Sequence, residues 1–285
     1  MSLTPPPLPA IILDPIVRLA LAEDLGRAGD LTTDATIPQD TQMSVVIAAR
    51  QSGIVAGLDA AAYALQLIDP SVNLKIELQD GSPIKPKDII ARLDGSARSI
   101  LTAERTMLNF MGRLSGVATM TNRFVETIAH TDARIVCTRK TTPGHRAVEK
   151  RAVRCGGGTA HRYGLDDAIL IKDNHIAACN GSVEEALTRA KAYAGHLRMI
   201  EIEVDTLTQL EVALKHGPDA VLLDNMSNDT LREAVAMIGD KAIAEASGGV
   251  NLDTVAGIAE TGVDFISVGA LTHSAPNLDV GMDAA

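Results

Sequence analysis

A regular alternation of short apolar runs and helical segments is the feature that most constrains the fold of this sequence. From Arg134 onward six such runs recur, namely RIVCTRK, DAILIKDN, RMIEIEV, DAVLLDN, AIAEASGG and VDFISVGA. Segments with helical spacing lie between them, and this repetition predicts parallel strands joined by right-handed crossovers. Six strands in this length predict a barrel smaller than the usual eight-stranded form of about 250 residues.

Two of the intervening helices carry start and stop signals. Ser182 can cap one helix, and Glu185, three residues later, completes a capping box. Thr206 and Gln209 open the next helix in the same way, and Gly217 can end it. These signals support helices between the apolar runs.

The first part of the chain has a mixed pattern. Residues 1–12 are rich in proline, which predicts a disordered lead, and a helix is expected from Pro15 to Leu25. The runs MSVVIAA and VNLKIEL alternate as strands do, and two helical segments are expected beyond Ser99. We therefore predict a small mixed domain over residues 13–115, to which the tail 275–285 can return, and a barrel domain over residues 116–274.

Composition excludes several classes of protein. The net charge of -10 argues against a broad nucleic-acid footprint, which requires positive charge over a whole face. No apolar run approaches the ~20 residues of a membrane span, and the opening residues lack the pattern of a signal peptide. The three cysteines have no CxxC spacing, so neither a disulfide framework nor a zinc site is indicated. We expect a cytoplasmic protein with free thiols and no nucleic-acid or membrane partner.

The sign of the charge reverses locally between residues 139 and 172. This stretch contains eight basic residues, namely Arg139, Lys140, Arg146, Lys150, Arg151, Arg154, Arg162 and Lys172. It contains only three acidic residues, namely Glu149, Asp166 and Asp167. A cationic island on an acidic protein can focus its field on a small polyanion. Chance clustering on a solvated helix is the alternative.

Polar or glycine residues close each of the six runs. In chain order they are Arg139 with Lys140, Lys172, Glu201 with Glu203, Asp224, Ser247 with Gly248 and Gly249, and Gly269. Barrel strands are buried on both faces, so a charge at a strand end is costly unless it points into the mouth of the barrel, where barrel enzymes keep their chemistry. Polar residues are also common wherever strands end, so no single one of them decides between the two interpretations.

The two signs of charge suggest one kind of ligand. Arginine and lysine can clamp carboxylates or phosphates. Glu201 and Asp224 can hold a divalent cation or stabilise positive charge that develops on a sugar. Glycine turns at residues 247–249 and 268–270 can bind phosphate through backbone N–H groups. A sugar phosphate is a ligand that suits the basic residues, the carboxylates and the glycine turns alike.

Residues 137–176, CTRKTTPGHRAVEKRAVRCGGGTAHRYGLDDAILIKDNHI, resemble the signature of the quinolinate phosphoribosyltransferase family, the carboxylating nicotinate-nucleotide pyrophosphorylases. The segments TAERTMLN, EIEVD, LLDN, EASGGV and ISVGALTHS extend the resemblance over nearly the whole chain. It implies an N-terminal α/β sandwich domain and an incomplete TIM-like barrel. It also implies transfer of phosphoribosyl from phosphoribosyl pyrophosphate to quinolinate, with magnesium, giving nicotinate mononucleotide, pyrophosphate and carbon dioxide.

The resemblance further implies the residues of the site. Substrate contacts are expected for Arg105, Thr138, Arg139, Lys140, His161, Arg162, Lys172, Glu201, Asp224, Ser247, Gly248, Gly249, Gly269, Ala270 and His273. Lys140, Lys172, Glu201 and Asp224 are the catalytic candidates, and Glu201 and Asp224 would meet Mg²⁺ directly or through water. Arg105 would come from the neighbouring subunit of a homodimer, or of a hexamer. Without the motif, a packed core residue is the favoured interpretation of His161.

Three alternatives stay open at this point. A molybdenum-transport-associated relative has a similar fold, but it is expected to lack the full pairing of TRKTTPG with IKDNH. A phosphate-binding barrel lyase or isomerase would use Lys172 as a Schiff-base amine, which borohydride would trap. A binding protein for small anions would hold quinolinate without turnover.

Overall fold

The computed structural model describes residues 5–285 and divides them into two compact units. Unit 1 comprises the described residues up to Asn122 together with Thr141–Gly157 and Leu271–Ala285, and unit 2 comprises Arg123–Lys140 and Gly158–Ala270. Residues 141–157, expected in the barrel domain, thus group with the N-terminal part of the chain. Residues 1–4 of the expected lead lie outside the described residues.

The elements follow one another in this order. The strands are β1 Gln42–Ala49, β2 Gly53–Ile54, β3 Asn73–Ile76, β4 Pro83–Ile84, β5 Ile89–Ser96, β6 Arg134–Val136, β7 Ile169–Ile171, β8 Ile200–Val204, β9 Ala220–Asp224, β10 Ile243–Ser247, β11 Phe265–Ser267 and β12 Val280–Ala284. The helices are α1 Ala10–Leu25, α2 Leu31–Thr36, α3 Leu58–Ile68, α4 Ala97–Thr127, α5 Arg146–Cys155, α6 Asp173–Ala178, α7 Val183–Tyr193, α8 Leu207–Lys215, α9 Asn228–Ile238, α10 Val255–Ala259 and α11 Ala270–His273.

Unit 1 is built on an antiparallel sheet with the strand order β12-β1-β5-β3. The two runs predicted as strands form β1 and β3, and β12 lies antiparallel to β1, with Val45 opposite Ala284. The last five residues of β1 are buried. Helix α1 packs on α3, where the Tyr63 hydroxyl donates a hydrogen bond to Asp14 over 2.7 Å.

Two helix predictions for the first half of the chain are wrong in detail. Helix α1 begins at Ala10 and not at Pro15, because its buried face already includes Leu13, four residues before Val17. Pro15 therefore lies inside the helix. The two segments expected beyond Ser99 form the single helix α4, whose buried face continues without a break through Leu114 to Phe124.

Unit 2 contains a parallel six-stranded sheet with the order β6-β11-β10-β9-β8-β7. All six predicted strands are present, and the predicted α/β fold class is confirmed. Strands β6 and β7 lie at the two edges of the sheet, and Val136 of β6 also bridges to Thr159. Closure into a TIM-like barrel stays a prediction.

The capping signals act as expected. The Ser182 side chain accepts a hydrogen bond from the Glu185 N–H over 3.1 Å at the start of α7. At the start of α8 Thr206 accepts from the Gln209 N–H over 3.2 Å, and Gly217 follows that helix with a φ of +55°. Left-handed backbone of this kind satisfies the last carbonyls of a helix. Among residues 5–285, no helix has the length and hydropathy that crossing a bilayer requires.

A buried carboxylate joins several segments of unit 1. Glu149 is 0% exposed and accepts hydrogen bonds from Arg113 Nε at 3.1 Å and from Arg113 Nη2 at 2.7 Å. It also accepts from the Thr142 N–H at 3.0 Å and the Thr142 hydroxyl at 2.8 Å. Arg113 in turn donates to the carbonyl oxygens of Thr272 and Ala275. One ion pair thus connects α4, α5, the loop at residue 142 and the segment before β12.

We predict that Arg113→Met destabilises the fold, because it leaves the Glu149 carboxylate buried without a cation. The expected loss is about 3–5 kcal/mol in the free energy of unfolding, measured by urea denaturation at neutral pH. Adding Glu149→Gln to this variant should restore part of the loss. Arg18→Met is the control, because its ion pair with Asp14 is exposed and is expected to contribute at most ~1 kcal/mol. A loss below ~1 kcal/mol for Arg113→Met would contradict the prediction.

Candidate functional site

The site is centred on the imidazole of His161, which follows the bridge residue Thr159 in unit 2. Its Nε2 lies 3.1 Å from Glu201 Oε2 and 3.5 Å from Glu245 Oε1. Glu201 is on β8 and Glu245 on β10, with β9 between them. Strands separated by one neighbour lie about 10 Å apart, so both carboxylates must lean from the same face of the sheet towards one atom.

Both carboxylates are buried. Burial and the nearby Glu201 raise the pKa of Glu245 to about 7, while His161 and a hydrogen bond from Ser267 oppose this shift. Glu201 is 8% exposed, and its Oε1 has no hydrogen-bond partner among residues 5–285. A buried acceptor of this kind is costly to leave unpaired, so it is suited to a substrate hydroxyl or a cation.

Among residues 5–285, the same three side chains form a group that could hold a metal ion. Their ligand atoms lie within 4.8 Å of one another. Asp224, expected beside Glu201 at a magnesium site, is not part of this group. It lies at the end of β9 and accepts a hydrogen bond from Asn225 Nδ2 over 2.6 Å.

Lys172 follows β7 and reaches the adjacent strand. Its Nζ lies 2.5 Å from Glu203 Oε2, and Glu203 is buried while the lysine is about half exposed. Glu203 stands two residues after Glu201 on β8, so both carboxylates point to the same face. Lys172 is therefore held over the face that carries His161.

Two arginines add positive charge to this face. Burial and the Arg139 guanidinium lower the pKa of Arg162, and Glu201 opposes that effect. Charges influence one another in this way only when they are neighbours, so Arg139 and Glu201 lie near Arg162. Arg162 Nη1 donates to the Ala168 carbonyl over 3.2 Å, and its backbone N–H donates to His161 Nδ1 over 2.7 Å. The arrangement can receive a small dianion.

The turn after β10 can accommodate only glycine at its first position. Gly248 has a φ of +97°, and a Cβ there would lie 2.2 Å from Asn225 Oδ1. The Asn225 N–H donates to the Ser247 carbonyl over 2.9 Å, which joins the turns after β9 and β10. Gly249 also has positive φ, and a Cβ at this position would meet no atom of residues 5–285 within 4 Å. This exposed backbone fits the predicted phosphate site.

The other predicted residues divide between the units. Thr138, Lys140, Gly269 and Ala270 belong to unit 2, where the Thr138 hydroxyl accepts from the Lys140 N–H over 3.0 Å. Arg105 and His273 belong to unit 1, and Arg105 is exposed on α4. The geometry within unit 2 therefore does not include these two residues.

Glu245 and Ser267 were not among the residues predicted for the site. A signal was present, because the run AIAEASGG places one glutamate among alanines in a strand expected to be buried. A buried carboxylate without a partner would be expensive, so its presence indicates a polar neighbour. The partners themselves come from β11 and from the loop that follows Thr159, and the sequence does not bring these segments together.

Family models and curated relatives match nearly the whole of this chain. Family models described as quinolinate phosphoribosyl transferase, N-terminal domain and C-terminal domain, match residues 30–115 and 117–283. A probable carboxylating nicotinate-nucleotide pyrophosphorylase of Bacillus subtilis is 42% identical over 261 residues, covering 92% of this chain and 89% of the relative. The carboxylating nicotinate-nucleotide pyrophosphorylase of Mycobacterium leprae is 43% identical over 272 residues, covering 94% and 95%.

Solved structures give the same result. The crystal structure of NadC from Streptococcus pyogenes matches with a TM-score of 0.95 at 38% identity, covering 98% of each chain. The nicotinate-nucleotide pyrophosphorylase of Francisella tularensis matches with a TM-score of 0.92 at 38% identity, again over 98% of each chain. Sequence and fold agree over nearly the full length, and the chain belongs to the quinolinate phosphoribosyl transferase family.

Proposed function

We propose how the described residues carry out the reaction that this chain catalyses, the decarboxylating transfer of phosphoribosyl from phosphoribosyl pyrophosphate to quinolinate. The products are nicotinate mononucleotide, pyrophosphate and carbon dioxide, and the reaction belongs to NAD biosynthesis. The observation that supports the proposal most is the grouping of Arg139, Arg162 and Lys172 with the buried pair of His161 and Glu201. Cations suit the dicarboxylate, and the carboxylate suits the sugar.

Quinolinate is held by its two carboxylates. Arg139 and Arg162 offer planar guanidinium groups that can bind a carboxylate through two parallel hydrogen bonds. Lys172 stands over the same face through its ion pair with Glu203 and can turn to the second carboxylate. His161, which pairs with Glu201 on the same face of the sheet, limits where the ring can sit.

The sugar phosphate occupies the neighbouring strand ends. Glu201 and Asp224 accept hydrogen bonds from the ribose hydroxyls, and Lys140 with Thr138 meets the pyrophosphate side. Backbone N–H groups of the glycine turns bind the 5′-phosphate, as oriented amides do in anion-binding nests. The residues assigned to this phosphate are Ser247, Gly248, Gly249, Gly269, Ala270 and His273.

Positioning and charge stabilisation carry the chemistry. The ring nitrogen of quinolinate forms a bond to the anomeric carbon of the ribose as the bond to pyrophosphate breaks, and pyrophosphate leaves with the electron pair. Positive charge develops at the anomeric carbon, and the nearby Glu201 carboxylate stabilises it. The ring is then a pyridinium that accepts the electrons released when the adjacent carboxylate leaves as carbon dioxide. The ring carbon finally takes a proton from water.

Magnesium fits the donor set. Carboxylate oxygens are the ligands that Mg²⁺ prefers, and the buried Glu201 Oε1 has no protein partner within residues 5–285. Glu201 and Asp224 would hold the ion directly or through water. When bound, it would neutralise charge on the pyrophosphate that leaves.

The assembly is part of the proposal. Arg105 lies exposed on α4 in unit 1, so we assign it to the site of a neighbouring chain in a homodimer, which could associate further into a hexamer.

The compartment is the cytoplasm. All three cysteines are free thiols, as is usual in a reducing compartment.

We predict that Lys172→Ala lowers kcat/KM for quinolinate about 100-fold, equivalent to ~2.7 kcal/mol, because one carboxylate loses its cation. The assay incubates the enzyme with quinolinate, phosphoribosyl pyrophosphate and Mg²⁺ and measures nicotinate mononucleotide and carbon dioxide. Lys215→Ala is the matched control, because that lysine is exposed and forms an ion pair with Glu211 one turn earlier on α8. Near-normal turnover of Lys172→Ala would remove the lysine from the site, and equal use of nicotinate without carbon dioxide release would refute the reaction.

The shared site gives a second prediction. Arg105→Ala and Lys172→Ala should each be nearly inactive as homodimers. A heterodimer of the two, isolated with two affinity tags, should recover roughly half of the wild-type activity, because one of its two sites is intact. Failure of the heterodimer to recover activity would place Arg105 in the site of its own chain.

A further inference from the structure

Glu245 is a buried carboxylate on the same face as the proposed substrate residues, and it has no role in the reaction described so far. It lies in the middle of β10, it is 5% exposed, and its strand neighbours Ala244 and Ala246 point the other way. The Ser267 hydroxyl on the adjacent strand β11 donates a hydrogen bond to its Oε1. Glu245 is therefore held from one side by the sheet.

The His161 ring is held at both of its nitrogen atoms. The Arg162 backbone N–H donates to Nδ1 over 2.7 Å, so Nδ1 acts as an acceptor and the proton of the neutral ring is on Nε2. Nε2 faces Glu201 Oε2 at 3.1 Å and Glu245 Oε1 at 3.5 Å. One N–H group thus points into the space between two buried carboxylates.

We propose that Glu245 is a positioning residue for the transfer reaction, which, held by Ser267, keeps the His161 ring and through it the Glu201 carboxylate in place. The three side chains form a chain of contacts from β11 through β10 to β8. Glu245 need not touch either substrate in this role. The inference rests on the proposed roles of His161 and Glu201.

The expected cost of losing this contact follows from geometry. Without the Glu245 side chain, a cavity opens beside the imidazole, and Nε2–H keeps only one of its two acceptors. The ring can then rotate, and Glu201 loses the fixed donor that orients its Oε2. Displacing a catalytic group by about 1 Å can lower the rate by roughly 100-fold.

Glu245→Ala and Glu245→Gln separate position from charge. The carbonyl oxygen of glutamine can accept hydrogen bonds from both Ser267 and His161, so Glu245→Gln keeps the contacts without the carboxylate. We expect Glu245→Ala to lower kcat at least about tenfold, with the KM for phosphoribosyl pyrophosphate within about threefold of wild type, and Glu245→Gln to restore kcat to within about threefold. Normal kcat for Glu245→Ala would overturn the proposal. An equal loss in both variants would also overturn it, because a charge would then be required.

Asp264→Ala is the matched control, because it also removes a carboxylate that accepts a hydrogen bond. The Asp264 carboxylate accepts a hydrogen bond over 2.8 Å from the N–H of Ala244, the residue before Glu245 on β10. This substitution should lower the midpoint of thermal unfolding and leave kcat per folded enzyme unchanged. If Glu245→Ala lost activity only in proportion to its folded fraction, its role would be structural and the proposal would fail.

A spectroscopic measurement tests the same arrangement without turnover. ¹⁵N histidine spectra, assigned through His161→Gln, should show His161 as the Nε2–H tautomer in the wild-type protein, and Nδ1–H would overturn the proposal. Two further variants, His161→Ala and Glu201→Ala, distinguish a failure of the proposed function from a failure of the role assigned to Glu245. If both retain full kcat, the proposed function of these residues fails; if both lose it while Glu245→Ala does not, only the role of Glu245 fails.

Discussion

Carboxylates buried on a parallel sheet need partners, and the site of this protein is built from the groups that supply them. An ionised carboxylate without a partner costs several kcal/mol when it is taken out of water. Glu203 meets this requirement through Lys172, Glu201 through His161, and Glu245 through Ser267. The side chains that would handle substrate are thus fixed by the demands of burial before any ligand arrives.

The same contacts fix the positions of the side chains in the candidate site. Lys172 is on a segment outside the strands, yet its ion pair with Glu203 ties it to β8. His161 lies in a loop, yet contacts at both ring nitrogens fix its orientation. Side chains held in this way lose little conformational freedom when substrate binds, which is the usual benefit of a preorganised site. The basic residues between 139 and 172 then divide into two groups by their partners. Arg139 and Arg162 lie near Glu201 and Lys172 pairs with Glu203, whereas Arg151 forms an ion pair with Asp80 inside unit 1.

The sequence predicted the elements better than the contacts. Strand and helix alternation revealed all six parallel strands, because each strand is a short apolar run with a polar end. The helix caps at Ser182 and Thr206 were also predicted correctly, because each cap depends on two residues only three positions apart. The predicted start of α1 is wrong because proline favours the first turn of a helix, whereas burial of Leu13 extends this helix back to Ala10. Long-range contacts such as those of Arg113 and Glu149 join residues far apart in sequence, and no local pattern specifies them.

The antiparallel sheet of unit 1 imposes an order on biosynthesis. Strand β1 is flanked by β5 and β12, and the whole of unit 2 lies in the chain between those two strands. While a ribosome makes the chain, β1 has an open hydrogen-bonding edge until β12 has been translated, although the six strands of unit 2 are already complete. An unpaired edge can recruit strands from other chains. The nascent protein therefore passes through a stage in which one edge of its N-terminal sheet is unpaired.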